Sequence, residues 1–200
     1  AGWYYIRNWV KLGSPFVGGW NQSRGIVWWQ DPGYRTMSHF VRFGESLTYP
    51  VYSGVCGFWD AMYSSFWLDG WLSSVCEYEL RPPWNYDFLI SGAWLALLPA
   101  TGMLLGIPLA VGSACNEIRR GLRFAIGCVV VYFFAVFYLY VSLPIFSTAK
   151  ASYTAGLIPC YAVLGATGLS LLMRGPISRA VVYAGIACWA TAAYLAYFVM

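Results

Sequence analysis

The 200-residue sequence predicts an all-α integral membrane protein, and two observations lead to this fold class. Hydrophobic residues make up 60% of the chain and charged residues only 10%, whereas an ordinary soluble domain has about 25% charged residues. In addition, four stretches stay apolar over about 20 residues, the length that a helix needs to cross the roughly 30 Å hydrocarbon core of a bilayer. We therefore expect about four transmembrane helices, preceded by an aromatic-rich extracytoplasmic head with interfacial helices.

Residues 1–87 form the predicted head. This part contains nine of the eleven tryptophans, a density that has two physical explanations. Trp and Tyr settle at the membrane interface because their rings are amphipathic, and they also offer flat faces on which sugar rings or isoprenoid chains can pack. Both explanations remain open from the sequence.

The head begins with "AGWYYIRNWVKLGSPFVGGW", which places Arg7 and Asn8 among aromatic residues and then enters a Gly/Pro turn. This pattern indicates a segment on the outer membrane surface. Gly and Pro recur up to residue 57, so residues 14–57 are predicted to form turns and short extended pieces.

A helix is predicted from Phe58 onward. At 100° per residue, "FWDAMYSSFWLD" has one broad apolar face and a polar face, which indicates a membrane-surface or groove-lining helix. Trp59 and Trp67 lie on the apolar face and are candidates for binding a sugar or acceptor. Asp60 lies in the first turn, where the helix dipole stabilises a carboxylate, so a structural role explains this residue. Asp69 lies in the last turn against the dipole, so it is the better functional candidate, with an exposed or Arg-paired role as the alternative.

The transmembrane bundle is predicted at residues 88–200. Its four spans are expected at approximately 88–111, 124–146, 154–173 and 180–200. The short loops on one side of these spans are rich in arginine, which indicates the cytoplasmic side; the arginines are Arg119, Arg120, Arg123, Arg174 and Arg179. The head would then face the periplasm or the exterior, and a bacterial inner membrane is the expected location.

Lys150 lies between the second and third spans, at the predicted outer interface. A lysine at the end of a span commonly extends to lipid headgroups. Alternatively, Lys150 neutralises the phosphate of a lipid-linked substrate while Tyr153 donates a hydrogen bond to it. The sequence is consistent with both interpretations.

The six cysteines include no CxxC motif and no Cys/His cluster with metal spacing. Cys56 and Cys76 both lie in the head, in the compartment where disulfides form, so a bond between them is one possibility. The single histidine, His39, has no obvious partner for binding a metal. We expect neither a metal nor a cofactor, and no nucleic-acid-binding surface.

Four stretches, in order along the chain, carry a resemblance to a known family. "GWYYIRNWVKLGSPFVGGW", "FWDAMYSSFWLDG", "PPWNYD" and "AKASYTAGLIPCYAVLGATGL" resemble blocks of the GT-C membrane glycosyltransferases, the group related to protein mannosyltransferases and to the lipid A aminoarabinose transferase. The resemblance implies transfer of a sugar from a polyprenyl-phosphate donor to an extracytoplasmic acceptor. It also implies that this chain is the C-terminal part of such an enzyme, without the loop that carries the catalytic carboxylate.

Under this resemblance, Arg7 and Lys150 are expected to bind the phosphate, with Asn8 and Tyr153 nearby. Asp60 and Asp69 are possible contributors on the sugar or acceptor side. The expected partners are the bilayer, the lipid-linked donor, and other membrane subunits or an N-terminal part of the same protein. The competing hypothesis is a non-enzymatic membrane subunit that scaffolds a larger assembly.

Overall fold

A computed structural model describes residues 2–13, 35–51, 53–69, 84–112, 116–143 and 149–199. Helices account for 85% of the described residues, which include no strand, and this confirms the all-α prediction. The helices are α1 (Gly2–Leu12), α2 (Ser38–Val41), α3 (Ser53–Cys56), α4 (Phe58–Ser64), α5 (Tyr86–Leu95), α6 (Leu97–Gly112), α7 (Asn116–Ser142), α8 (Ile158–Leu172) and α9 (Pro176–Phe198).

Among the described residues, four helical stretches are long and apolar enough to cross a membrane, which confirms the predicted class of an all-α integral membrane protein. The first combines α5 and α6, the second lies within α7, and the fourth is α9. The third combines α8 with the 3₁₀ turn that leads into it, Ala151–Leu157. The stretches run over Tyr86–Gly112, Arg119–Ser142, Ala151–Leu172 and Pro176–Phe198.

The first span is interrupted at Ala96, between α5 and α6. Pro99 follows three residues later and is buried. Proline has no N–H to donate to the carbonyl four residues earlier, here that of Leu95, and its ring crowds that carbonyl. The break therefore follows from the position of this proline.

Helices α6 and α8 cross at glycines and make the most extensive helix–helix contact of the described residues. Gly102 and Gly106 of α6 face Gly165 and Gly168 of α8. A Cβ atom on Gly168 would lie 2.6 Å from the backbone nitrogen of Gly106 and still closer to the carbonyl oxygen of Gly102. Small residues allow this close approach of two backbones, as at other helix crossings in membranes.

The head is anchored to α7 through an aromatic cluster. Phe58 is buried, and its ring meets those of Phe133 and Phe137 edge-on, with ring centroids 5.5 and 5.3 Å apart. Ala61 packs in the same cluster with Tyr140. Helix α4 is thus held against the C-terminal half of the second span.

The part of the head that precedes α4 was predicted to be turns and extended pieces. In the described ranges 35–51 and 53–57 the predicted turns are present, but short helical turns replace most of the extended pieces, at Ser38–Val41, Glu45–Leu47 and Ser53–Cys56. The reason is local pairing, since Phe40 N donates to Met37 O at 3.0 Å and Thr48 N donates to Glu45 O at 3.0 Å. These backbone groups are satisfied within the turns themselves.

Candidate lipid-binding groove

An apolar groove of about 550 Å³ lies between the head and the spans. We call it the aromatic groove. Helix α4, the loop before it and the turn after it supply the outer wall, which includes Phe43, Trp59, Met62, Tyr63, Phe66 and Trp67. Helices α6, α7 and α8 supply the inner wall, which includes Met103, Leu104, Ile107, Val129, Phe133 and Leu164. No charged side chain lines it within the described part of the chain.

Helix α4 continues into a π-helical turn, Ser65–Asp69, that keeps Phe66 and Trp67 on the groove. Ser65 organises this turn, because its hydroxyl donates to Ala61 O at 2.6 Å and accepts a hydrogen bond from Ala151 N at 2.7 Å. The second bond joins the head to the start of the third span. Of the two roles predicted for this helix, membrane-surface or groove-lining, its position agrees with the second.

A second cavity, of about 490 Å³, adjoins the aromatic groove. The two share several lining residues, namely Phe66, Trp67, Met103, Ala151 and Tyr161. The second cavity adds the small polar residues Ser65 and Ser152. We call the two cavities together the apolar compartment.

Both tryptophans predicted as site residues line the aromatic groove. Trp59 stacks on Phe133, with ring centroids 5.6 Å apart, and its Nε1 donates to Phe40 O at 2.8 Å. Trp67 meets Trp189 edge-on at 5.4 Å. These contacts hold each indole in one orientation, so the flat faces needed to bind a chain or ring are preformed.

Tyr63 joins the outer wall of the groove to the first span. Its hydroxyl donates to Ala93 O at 2.7 Å. Burial raises the pKa of Tyr63 well above its ordinary value, so the phenol stays protonated and remains a donor at physiological pH.

Asp60 is completely buried and does not line either cavity. Its Oδ1 accepts hydrogen bonds from Gly44 N at 3.0 Å, Ser46 N at 2.8 Å and Ser46 Oγ at 2.8 Å. No hydrogen-bond donor among the described residues reaches Oδ2. The carboxylate thus anchors the loop that carries Phe43, a residue that lines the groove.

None of the remaining predicted site residues is among the described lining residues of the two cavities. Lys150 is half-buried and directly precedes Ala151, which lines both cavities, while Tyr153 is largely exposed. Asp69 ends the π-helical turn, and its side chain lies outside the described part. On α1, Arg7 is exposed and Asn8 is buried.

The structure therefore brings Trp59, Trp67 and the neighbour of Lys150 to one compartment. Helix α1 supplies none of the described lining residues of the two cavities, so Arg7 and Asn8 are not part of these linings. Sequence reasoning missed Phe43 and Tyr161. Neither had a recognisable signal, because only the packing of α4 against the spans brings them to the compartment.

The proposed partner of Cys56, Cys76, lies outside the described residues, so the disulfide stays a prediction. As a thiol, Cys56 has a raised pKa. Burial is the main cause and the carboxylate of Glu45 adds to it, whereas Arg42 acts in the opposite direction. No group of three His, Cys, Asp or Glu side chains in the described ranges could hold a metal ion.

We expect Glu45→Gln to lower the pKa of the reduced Cys56 thiol. Glu45 accepts a hydrogen bond from Arg42 at 3.1 Å, so its neutralisation removes a charge that opposes the thiolate and leaves the cation beside it. The pH at which alkylation reaches half its maximal rate should fall, measured in full-length protein that retains Cys56 as its single cysteine. An unchanged pH profile would show that Glu45 does not act on this thiol.

Comparison with protein-family models, with curated proteins and with solved structures finds no match to this chain.

Proposed function

We propose that the aromatic groove binds the isoprenoid chain of a polyprenyl-phosphate sugar donor, and that this chain is the C-terminal part of a GT-C membrane glycosyltransferase. The observation that carries the proposal is the groove itself, which is apolar and aromatic, has a volume of about 550 Å³ and lies between the head and the spans. This volume lies in the range of ordinary ligand sites, about 300–1,000 Å³. Four ordered sequence blocks that resemble this family support the same function.

In the proposed reaction, a carboxylate activates the acceptor nucleophile for attack at the anomeric carbon. The bond from the sugar to the phosphate breaks, and a nearby cation stabilises the charge that develops on the phosphate. Lys150 takes this role because it adjoins Ala151 at the compartment. The catalytic carboxylate is expected outside this chain, with Asp69 as a contributor, while the hydrogen bonds of Asp60 favour a positioning role.

We expect Lys150→Ala to lower transfer from the lipid-linked donor by about tenfold or more, because a charge-assisted contact to a phosphate contributes about 1.5–3 kcal/mol. Lys150→Arg, which keeps the cation, should retain most of the activity. The measurement is sugar transfer by the full-length protein in proteoliposomes at several donor concentrations. Equal activity of wild type and both variants would show that Lys150 does not bind the phosphate.

The proposed location is a bacterial inner membrane with the head on the outer side. The arginines at the opposite ends of the spans support this orientation. Labelling of a Ser38→Cys variant by a membrane-impermeant thiol reagent checks it in a background that lacks the native cysteines. Labelling only after the membrane is permeabilised would show that the head lies on the cytoplasmic side.

One observation favours a second candidate function, a lipid-binding subunit without enzymatic activity. The described linings of the two cavities contain no charged side chain that could take part in acid–base chemistry. Such a subunit would bind a polyprenyl phosphate in the same groove but would show no transfer with any donor. Binding and transfer assays on the same preparation separate the two functions.

A further inference from the structure

A third cavity lies at the opposite end of α8 from Lys150, where α8 connects to α9. We call it the connection groove. It has a volume of about 680 Å³ and lies between the start of α6, the end of α8 and the start of α9. Its apolar lining includes Leu98, Leu172, Ile177, Val181 and Val182. None of its lining residues belongs to the aromatic groove.

Two arginines flank this groove. Arg174 precedes Gly175 and Arg179 follows Ser178, and both neighbours line the groove. Both arginines are exposed, and neither forms an ion pair with any carboxylate in the described part of the chain. Each positive charge is therefore carried by a residue adjacent in sequence to the groove lining, and no carboxylate in the described part of the chain pairs with it.

One guanidinium also lies close to a backbone carbonyl at the end of α8. Arg179 Nε donates to Met173 O, at the end of α8, at 3.4 Å. A guanidinium has five N–H donors, so four remain available to an anion after this bond. The group therefore lies at the connection between the helices, next to Leu172 of the groove wall.

We propose that the connection groove binds an anionic phospholipid, with one acyl chain on the apolar lining and the phosphate group held by Arg174 and Arg179. Basic sites between transmembrane helices bind anionic headgroups, because each Lys or Arg near the surface adds roughly 1 kcal/mol of attraction. A zwitterionic lipid is disfavoured, since its own cation would face two arginines. The site is separate from the proposed sugar-transfer site and does not depend on it.

The test measures the lipid that co-purifies with the full-length protein. Protein reconstituted in equal amounts of phosphatidylglycerol and phosphatidylcholine is extracted into mild detergent, and native mass spectrometry counts the retained lipids. We expect wild type to retain phosphatidylglycerol preferentially and Arg174→Gln/Arg179→Gln to lose about tenfold or more of that preference. Arg123→Gln is the matched control, because Arg123 is exposed at the start of α7 and does not flank the groove; it should behave as wild type.

Two further variants separate the parts of the site. Arg174→Lys/Arg179→Lys keeps both charges and should keep most of the preference. Val181→Trp fills the groove and should reduce retention although both arginines are present. Inorganic phosphate should not displace the lipid, since it cannot use the apolar lining.

Equal retention of the two lipids by wild type overturns the proposal, as does a double glutamine variant that keeps the wild-type preference. Displacement of the lipid by inorganic phosphate would reduce the site to a simple anion site and overturn the acyl-chain part. Arginines at exposed positions can be replaced at a cost within about 0.5 kcal/mol, so the variants should fold. Transfer activity is not part of the measurement, so these outcomes are independent of the proposed function.

Discussion

Gly168→Ala is expected to disrupt the packing of α6 against α8 and to lower the free energy of unfolding by about 3 kcal/mol or more. A Cβ atom on Gly168 would lie 2.6 Å from Gly106 N and closer still to Gly102 O. Both are backbone atoms, so no side chain can rotate away and the two helices must separate. Because α6 and α8 form the inner wall of the aromatic groove, lipid binding should fall as well.

Gly127→Ala is the matched control. Gly127 lies within α7, and a Cβ atom there meets nothing within 4 Å. Alanine favours a helix over glycine by up to about 1 kcal/mol, so this variant should be as stable as wild type or slightly more stable. Unfolding of both purified variants is followed in detergent. Equal stability of the two would contradict the close crossing of α6 and α8.

Asp60→Ala is expected to lower the free energy of unfolding by about 3–5 kcal/mol. The substitution leaves the donors Gly44 N, Ser46 N and Ser46 Oγ without their acceptor, and each unsatisfied buried group costs about 1–3 kcal/mol. The loop that carries Phe43 would lose its anchor to α4, which opens one wall of the groove. Under the proposed function, loss of isoprenoid binding should therefore accompany the loss of stability.

Asp60→Asn distinguishes an anchoring role from a catalytic one. The amide retains an acceptor oxygen for the three donors, so most of the stability should remain and, under the proposed function, most of the transfer activity as well. A general base would instead lose its function in a protein that still folds. A stable Asp60→Asn protein without activity would overturn the anchoring role, whereas Asp87→Asn, at an exposed site, should change stability by only about 0.5 kcal/mol.

The helix predicted from Phe58 onward shows what the sequence pattern could predict and what it could not. The pattern separated an aromatic face from a polar one, and the structure places Trp59 and Trp67 of that face on the groove. For Asp60, on the polar face, the pattern indicated a favourable position near the helix dipole. It could not show the burial of this carboxylate under the loop 44–46, since that contact joins residues far apart in the chain.

The crossing of α6 and α8 shows another limit of the pattern. Gly102 and Gly106 have the four-residue spacing common at packed transmembrane helices. The spacing does not name the partner helix, however. Only the structure identifies it as α8, with Gly168 in contact.

The sequence by itself determined the class of this protein. Long apolar stretches can satisfy their backbone groups within a membrane only as helices or closed barrels. Stretches of about 20 residues favour helices, because a barrel strand needs only about 9–11 residues to cross. The tertiary structure alone decided which side chains share a compartment. Phe43, Trp67 and Tyr161 come together through contacts between the head and the spans. These contacts depend on the shape complementarity of segments that are far apart in the chain, which a local sequence pattern does not show.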